Sequence, residues 1–219
     1  MDGLKNIIKD AKKRKKHILE NMLYVSELNK KNVYIFKQIF DMDLAYKLNI
    51  NEGDTLKLDT KKKWNIAKFD IVMGNPPYNK GGIRSHTGKQ LGDKNEAIWP
   101  DFIKFAFDHL NDDGFLVYIN PLSWLKKSHS MHKKLLDNHI VWLKIWDNSK
   151  AKQEINADIP LSLYIMHNKK NKDKKSVIIS QLKKARIKYR IECTYIKQCI
   201  NCISVSWHIF KTIKKNRRK

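Results

Sequence analysis

The chain has 219 residues, 42% of them apolar and 10% aromatic, which is enough for one main folded unit and excludes a wholly disordered protein. Its formal net charge of +23 favours a polyanionic partner such as nucleic acid, although adenine- and thymine-rich codons would produce the same excess of lysine without selection for binding. Three clustered cysteines and no recognisable signal peptide or membrane span predict a cytoplasmic protein in a reducing compartment.

The first third of the chain predicts strands that alternate with helices. Apolar residues at roughly helical spacing indicate a basic amphipathic helix over residues 4–20, and a short buried strand follows over 22–28. Asn29 is a suitable N-cap for a second helix. Residues 48–56 then predict a second strand and residues 69–73 a third.

The middle of the chain continues the alternation after a long polar loop. Residues 80–94 contain four glycines and predict a loop, but their spacing does not match a phosphate-binding P-loop. A helix is expected to begin at Trp99-Pro100, and Asp112-Asp113-Gly114 predicts a turn into a strand over 115–120.

A further helix over residues 128–138 and strands over 140–146 and 159–166 complete the pattern. This order of elements predicts an α/β fold with an open, largely parallel sheet and helices on both faces. After residue 168 the composition becomes strongly basic, with only two acids. We therefore expect a folded unit over 1–168 and a basic, partly disordered tail over 169–219.

The chemically informative segment is Asn75-Pro76-Pro77-Tyr78, which follows the predicted strand over 69–73. Ligands bind at the carboxyl ends of strands in open α/β sheets. The side-chain oxygen of Asn75 and the carbonyl of Pro76 could accept both N–H groups of a planar amine and return electron density to its nitrogen. The Tyr78 ring could stack on an extruded base. A plain double-proline turn is the alternative interpretation.

This segment resembles the catalytic motif of class I S-adenosylmethionine-dependent amino-methyltransferases. The resemblance is greatest to the adenine-specific (N6) DNA methyltransferases of type II restriction–modification systems. It implies that Asn75, Pro76, Pro77 and Tyr78 are the catalytic residues and that S-adenosyl-L-methionine is the cofactor. It implies no metal.

Other segments resemble the same family in the same order along the chain. Residues 23–29 are similar to its second strand, whose terminal acid, here Glu27, holds the ribose hydroxyls of the cofactor. Residues 50–56 are similar to its third strand, whose acid, here Asp54, contacts the cofactor adenine. Residues 113–121 are similar to its fifth strand. The resemblance therefore implies that Glu27 and Asp54 bind the cofactor.

The resemblance covers residues 18–168 and departs from the family at one important place. The family has a first strand and a Gly-rich turn ahead of the helix predicted over 4–20, and that strand lies centrally between the second and the fourth. No Gly-x-Gly follows a predicted strand here. We therefore expect residues 1–168 to be a partial catalytic domain with two unpaired strand edges, which lacks most of the target-recognition region.

The resemblance implies methyl transfer to the exocyclic amine of adenine in DNA, with DNA as one partner and a complementing chain that carries the Gly-rich strand as another. An RNA base or a protein glutamine is an alternative substrate. A different hypothesis is a non-catalytic remnant, or a nucleic-acid-binding subunit that needs a partner chain. A zinc site formed by Cys193, Cys199, Cys202 and His208 is conceivable, but a small buried patch explains these residues as well, and no metal site is predicted.

Overall fold

A computed structural model describes residues 2–80, 96–170, 179–180 and 208–211, which form one eight-stranded sheet flanked by helices. The helices are α1 (Ala11–Asn21), α2 (Lys30–Asp41), α3 (Thr60–Trp64), α4 (Trp99–Asp108), α5 (Met131–Leu136) and α6 (Asn148–Ile155). The strands are β1 (Leu23–Glu27), β2 (Asn49–Glu52), β3 (Phe69–Gly74), β4 (Leu110–Pro121), β5 (Asn138–Trp146), β6 (Leu161–Lys170), β7 (Ile179–Ser180) and β8 (His208–Lys211). The strand order is β2-β1-β8-β3-β4-β6-β5-β7.

The α/β class predicted from the sequence is confirmed, and the sheet is mixed. The pairs β1/β2, β3/β4 and β5/β7 are parallel. Strands β6 and β8 each run antiparallel to both of their neighbours. Because β8 is antiparallel to both β1 and β3, these two strands are parallel to each other, and β1 to β4 all end at the same edge of the sheet.

Both faces of the sheet carry apolar clusters, as an α/β fold requires. Successive residues of β4 alternate between the clusters, with Leu116 and Tyr118 packed among residues of α4 and α5, and Val117 and Ile119 packed with Ala151 of α6. A third, smaller cluster packs α2 against β1. None of the helices in the described ranges combines the length and apolarity required to cross a bilayer.

The N-terminal helix begins later than the sequence pattern predicted. Asp10 has extended backbone angles, and its side chain accepts a hydrogen bond from the Lys13 amide at 2.7 Å. Asp10 is therefore the N-cap of α1, which begins at Ala11. The predicted start at residue 4 is therefore wrong, and a short 3-10 turn occupies Asp2–Leu4. The predicted cap of α2 is confirmed, because the Asn29 side chain accepts from the Lys31 amide at 2.9 Å.

The expected gap between β1 and β3 is occupied by β8, so the expectation of two unpaired strand edges is wrong. Ser26 lies opposite His208 on one side of β8, and Met73 lies opposite Ile209 on the other. A gap in the middle of a sheet would leave two rows of backbone groups without hydrogen-bond partners. A short segment of the basic tail supplies those partners.

The turn predicted at Asp112-Asp113-Gly114 is a bulge inside the long strand β4. Phe69 pairs with Leu110 and Ile71 pairs with Phe115, so extra residues are looped out of β4 between the two pairs. Asp113 has a positive φ of 60°. The predicted strand over 115–120 is therefore confirmed but is extended at its amino end by this bulge.

The bulge gives a testable prediction at Gly114. A Cβ atom there would lie 2.8 Å from the Asn111 carbonyl oxygen and 2.9 Å from the Leu110 side chain. We expect Gly114→Ala to lower the free energy of unfolding by about 1–3 kcal/mol, measured by urea denaturation. Gly53→Ala is the matched control, because its Cβ would meet nothing nearer than 3.6 Å. Equal stability of the two variants would contradict the tight packing of the bulge.

Candidate active site

The candidate residues lie together at the carboxyl edge of the sheet. Glu27 is the last residue of β1, and Asp54 comes two residues after the end of β2. Asn75 directly follows β3, and Pro121 ends the neighbouring strand β4. Parallel strands β1 to β4 thus deliver all four positions to the edge where α/β folds bind ligands.

Asn75 and Tyr78 are hydrogen-bonded to each other. The Tyr78 hydroxyl donates to Oδ1 of Asn75 at 3.0 Å, while the Tyr78 ring is half-buried and packs against both main apolar clusters. Burial raises the pKa of the Tyr78 hydroxyl well above its usual value, so the hydroxyl keeps its proton and remains a donor. Tyr78 therefore engages one of the two lone pairs of the oxygen that was predicted to accept from a substrate amine.

The backbone around Tyr78 is held by a short ladder at the base of the long polar loop. The Ile98 amide donates to the Tyr78 carbonyl at 3.1 Å, and the Lys80 amide donates to the Glu96 carbonyl at 2.8 Å. The side chains of Lys80 and Glu96 also form an ion pair. Residues 81–95, most of the predicted loop, lie outside the described residues. These hydrogen bonds hold Lys80 and Glu96, the residues on either side of the loop, close to Tyr78.

Glu27 presents a buried carboxylate with two local donors. Its side chain is only 6% exposed, and burial raises the pKa of this carboxyl group. Hydrogen bonds from the Asn29 amide at 2.7 Å and from Nδ2 of Asn32 at 3.3 Å partly oppose that effect. A carboxylate has about four acceptor positions, so Glu27 can accept further hydrogen bonds from a ligand.

Asp54 is positioned directly beside Glu27 through the backbone. The Gly53 amide donates to the Glu27 carbonyl at 2.9 Å, which ties the chain after β2 to the end of β1. The Asp54 side chain accepts from the Leu56 amide at 3.0 Å and so caps the 3-10 turn Thr55–Lys57. The structure therefore brings together the two acids that the sequence analysis paired.

A buried polar network that the sequence analysis missed supports these two acids. Nδ2 of Asn51 donates to Oγ of Ser26 at 3.0 Å, and Oγ of Ser26 lies 2.9 Å from Oγ1 of Thr55, with which it shares a hydrogen bond. Ser26 precedes Glu27 and Thr55 follows Asp54. Small polar residues beside each candidate acid were the available sequence signal, but their pairing depends on strand register.

The acids fit one half of the expected cofactor better than the other. Glu27 and Asp54 offer oxygen acceptors, which suit the hydroxyl and amine donors of a nucleoside. One strand, β8, separates β1 from β3, so the ends that carry Glu27 and Asn75 are about 10 Å apart. The residues on the described edge thus fit the nucleoside half, and none of them forms the glycine turn that the family uses for the methionine half.

No metal site is found in the described part of the chain. Those residues contain no group of three or more His, Cys, Asp or Glu side chains placed to hold an ion. Cys193, Cys199 and Cys202, the candidate zinc ligands of the tail, lie outside the described residues.

Comparison with known proteins decides the family. The sequence profile of the Eco57I restriction-modification methylase family matches residues 5–153, which include Glu27, Asp54 and the Asn-Pro-Pro-Tyr segment. The chain belongs to this family.

Two curated proteins are similar to parts of the chain. The adenine-specific methyltransferase BrxX of Escherichia coli O9:H4 (strain HS) is 30% identical over 86 residues, which cover 36% of this chain and 7% of BrxX. An uncharacterized adenine-specific methylase of Mycoplasma pneumoniae (strain ATCC 29342 / M129 / Subtype 1) is 27% identical over 109 residues, which cover 50% of this chain and 24% of that protein. The chain therefore spans at most about a quarter of the length of these relatives.

Two solved structures share the fold. The modification subunit of a putative type I restriction enzyme from Vibrio vulnificus YJ016 has a TM-score of 0.53 at 11% identity, covering 94% of this chain and 46% of that one. The M protein of the type I restriction enzyme EcoKI has a TM-score of 0.51 at 15% identity, covering 76% of this chain and 35% of that one. At these identities the likeness concerns the arrangement of helices and strands.

Proposed function

We propose that the chain is part of an adenine-specific DNA methyltransferase, which transfers a methyl group from S-adenosyl-L-methionine to the exocyclic amine of adenine. The observation that carries this proposal is the placement of Asn75, Glu27 and Asp54 on one sheet edge within the family match. The names of the two curated relatives, both adenine-specific, support the choice of base. A cytoplasmic location is part of this proposal.

In this proposal Asn75 and Pro76 act on the target amine. Oδ1 of Asn75 and the Pro76 carbonyl accept hydrogen bonds from its two N–H groups. These hydrogen bonds orient the nitrogen lone pair and increase the electron density on the nitrogen. The Tyr78 hydroxyl engages one lone pair of Oδ1 of Asn75 at 3.0 Å, and the second lone pair can accept an N–H of the amine. The Tyr78 ring then stacks on the extruded base, and Pro77 keeps the segment rigid.

The cofactor role belongs to the two acids. Glu27 accepts hydrogen bonds from the ribose hydroxyls and Asp54 from the adenine amine of S-adenosylmethionine, which supplies the methyl group when bound. The buried hydrogen bonds of Ser26 and Thr55 hold the acids in place. DNA is the proposed substrate. A complementing chain with a Gly-rich strand is the proposed second partner, because the described edge offers acceptors to only part of the cofactor. Its strand would take the place that β8 occupies between β1 and β3.

The proposal is tested by product analysis. The chain, alone and with candidate complementing chains, is incubated with methyl-labelled S-adenosylmethionine and DNA, and the DNA is digested to nucleosides. Label in N6-methyladenine supports the proposal. Label in RNA or in a glutamine-containing protein, offered in parallel reactions, would instead favour the alternative substrates. No transfer to any of the three would favour a non-catalytic nucleic-acid-binding subunit.

The basic charge predicts DNA binding that depends steeply on salt. Each phosphate contact that releases counterions contributes about −0.9 to the slope of log affinity against log salt concentration. We expect duplexes of unrelated sequence to bind with similar affinities and to show this slope in fluorescence anisotropy titrations. An affinity that does not change between low and physiological salt would show that the lysines are solvent-exposed surface residues that do not contact DNA phosphates.

The hydrogen bond between Tyr78 and Asn75 predicts different results for two variants of Tyr78. Tyr78→Phe keeps the ring and frees Oδ1 of Asn75, so binding of a substrate with an extruded adenine should stay within about threefold of the parent. Tyr78→Ala removes stacking worth about 1–3 kcal/mol and should weaken binding of duplex DNA more than of DNA with an unpaired adenine. Equal losses in both variants would contradict a stacking role for the ring.

A further inference from the structure

A concave site lies at the same sheet edge, beyond the end of β4. It is a cleft of about 540 Å³, with residues of the segment 121–126 on one side and Ile159 and Pro160, just ahead of β6, on the other. This volume is within the usual range for sites that bind small molecules or parts of larger ones. The cleft is separate from Asn75 and Tyr78, which are not among its lining residues.

The walls of the cleft are held rigidly. The Leu122 amide donates to the Pro160 carbonyl at 3.0 Å and joins the two sides. Behind the first wall, Trp124 is fully buried and its indole N–H donates to Oγ of Ser162 at 2.9 Å. Oγ of Ser162 in turn donates to the carbonyl of Asn120 at 3.2 Å. Hydrogen bonds within the chain therefore hold the walls of the cleft in place.

The lining suits a flat apolar ring with a negative charge attached. Pro121, Leu122, Ile159 and Pro160 offer aliphatic surface, and Lys126 is the only charged residue on the walls. Lys126 is exposed, and no ion pair found within the described ranges includes it. A nucleotide combines such a ring with a phosphate.

The position of the cleft relates it to the candidate active site. β4 is hydrogen-bonded to β3, and Gly74, which precedes Asn75, lies opposite Tyr118. From Tyr118, β4 runs three residues further, to Pro121 at the cleft. A DNA strand that presents an extruded base to Asn75 and continues along the end of β4 would carry its neighbouring nucleotides past Pro121 and Lys126.

We propose that this cleft, which we term the flanking-nucleotide cleft, binds the base of a nucleotide next to the target adenine on the same DNA strand. The aliphatic walls pack on the faces of the base, and Lys126 contacts its phosphate. This assignment rests on the proposed function and adds a substrate contact to it. Most of the wall is aliphatic and offers no base-edge hydrogen bonds, and the Ser123 hydroxyl can either donate or accept, so we expect the cleft to accept any base with little sequence preference.

The test uses the full chain and a single-stranded oligonucleotide that contains adenine next to a base carrying a photoreactive diazirine. Diazirines insert into aliphatic C–H bonds, so the cleft walls can react. We expect mass spectrometry to place the cross-link in residues 121–126 or 159–160. A cross-link confined to Tyr78 or to the N-terminal helix would overturn the proposal. The absence of any cross-link would also overturn it, provided that the oligonucleotide is shown to be bound.

Two neighbouring lysines provide a matched pair of variants. Lys126 lines the cleft, whereas Lys127 is also exposed and does not line it. We expect Lys126→Ala to weaken oligonucleotide binding about tenfold and to reduce the cross-link, because it loses a charge-assisted contact. Lys127→Ala removes the same charge and should weaken binding about twofold or less. Equal effects of the two variants would show that only general electrostatic attraction operates here.

The outcome can be separated from that of the proposed function, because cross-linking requires no methyl transfer. Asn75→Ala should retain the cross-link at the cleft. A chain that produces N6-methyladenine but shows no cleft cross-link would disprove the cleft assignment alone. A chain that cross-links at the cleft but methylates nothing, alone or with a complementing chain, would disprove the catalytic proposal and leave the cleft as a nucleic-acid contact.

Discussion

Replacing Asn75 by alanine is expected to lower the turnover of methyl transfer by roughly two to three orders of magnitude. The side-chain oxygen lies at the end of β3, next to a rigid double proline, and its use is greatest when the amine nitrogen becomes nucleophilic. Removal of such a transition-state acceptor lowers kcat and leaves ground-state binding largely unchanged. Glu27 and Asp54 remain intact in this variant, so binding of S-adenosylmethionine should persist.

The measurement is made in whichever preparation transfers methyl groups, the chain alone or the chain with a complementing partner. Turnover is determined from label in N6-methyladenine, and cofactor binding is determined by calorimetry. Asn79→Ala is the matched control, because Asn79 is an exposed residue of the same type in the same segment and should keep turnover within about twofold of the parent. If Asn75→Ala methylates duplex DNA at the parental rate, residues 75–78 form only a turn.

Local signals in the sequence were sufficient to predict most elements that surround the site. Asn29 caps α2 as its side-chain type suggests, and the apolar run over β3 ends at Gly74 as expected before two prolines. The apolar run over 22–28 placed Glu27 at a strand end, whereas the role of Asp54 came from the resemblance, since the strand predicted over 48–56 ends at Glu52. Their position on one edge follows from parallel pairing of β1 and β2, which the alternation of strands and helices already indicated.

Elements that depend on weak local signals or distant partners were missed. The short helix α6 was not predicted, because its sequence is polar and its start relies on the Asp147 side chain, which accepts from the Lys150 amide at 2.9 Å. The bulge at Asp113 was predicted to be a turn between two elements, because a positive φ at that residue is compatible with a turn and with a bulge. Strand β8 was hidden in a lysine-rich tail and is recognisable only from its pairing with β1 and β3.

The hydrogen bonds inside the site also could not be predicted from the sequence. The motif placed Asn75 and Tyr78 three residues apart, but their mutual hydrogen bond depends on the path of the backbone through Pro76 and Pro77. The pairing of Ser26 with Thr55 joins residues 29 positions apart. Such contacts follow from the register of the strands, which a single sequence does not specify.

The central position of β8 predicts a large loss of stability when its backbone pairing is blocked. Proline at position 209 has no N–H group and cannot fit a strand that is paired on both sides, as Ile209 is with Val25 and Met73. Each buried acceptor left without a donor costs about 1–3 kcal/mol, and release of β8 would expose the inner edges of both neighbouring strands. We therefore expect Ile209→Pro to lower the urea midpoint strongly, with faster amide hydrogen exchange in β1 and β3.

Ile209→Val is the control for this experiment, because it keeps the backbone N–H and a β-branched side chain and should shift the midpoint only slightly. The location of faster exchange is the decisive readout. If β8 completes the sheet, protection is lost in β1 and β3, on both sides of residue 209, while β5 and β6 keep theirs. Unchanged protection in β1 and β3 would mean that β8 does not hold this position. The carboxyl edge between Glu27 and Asn75 would then be open to a strand from another chain.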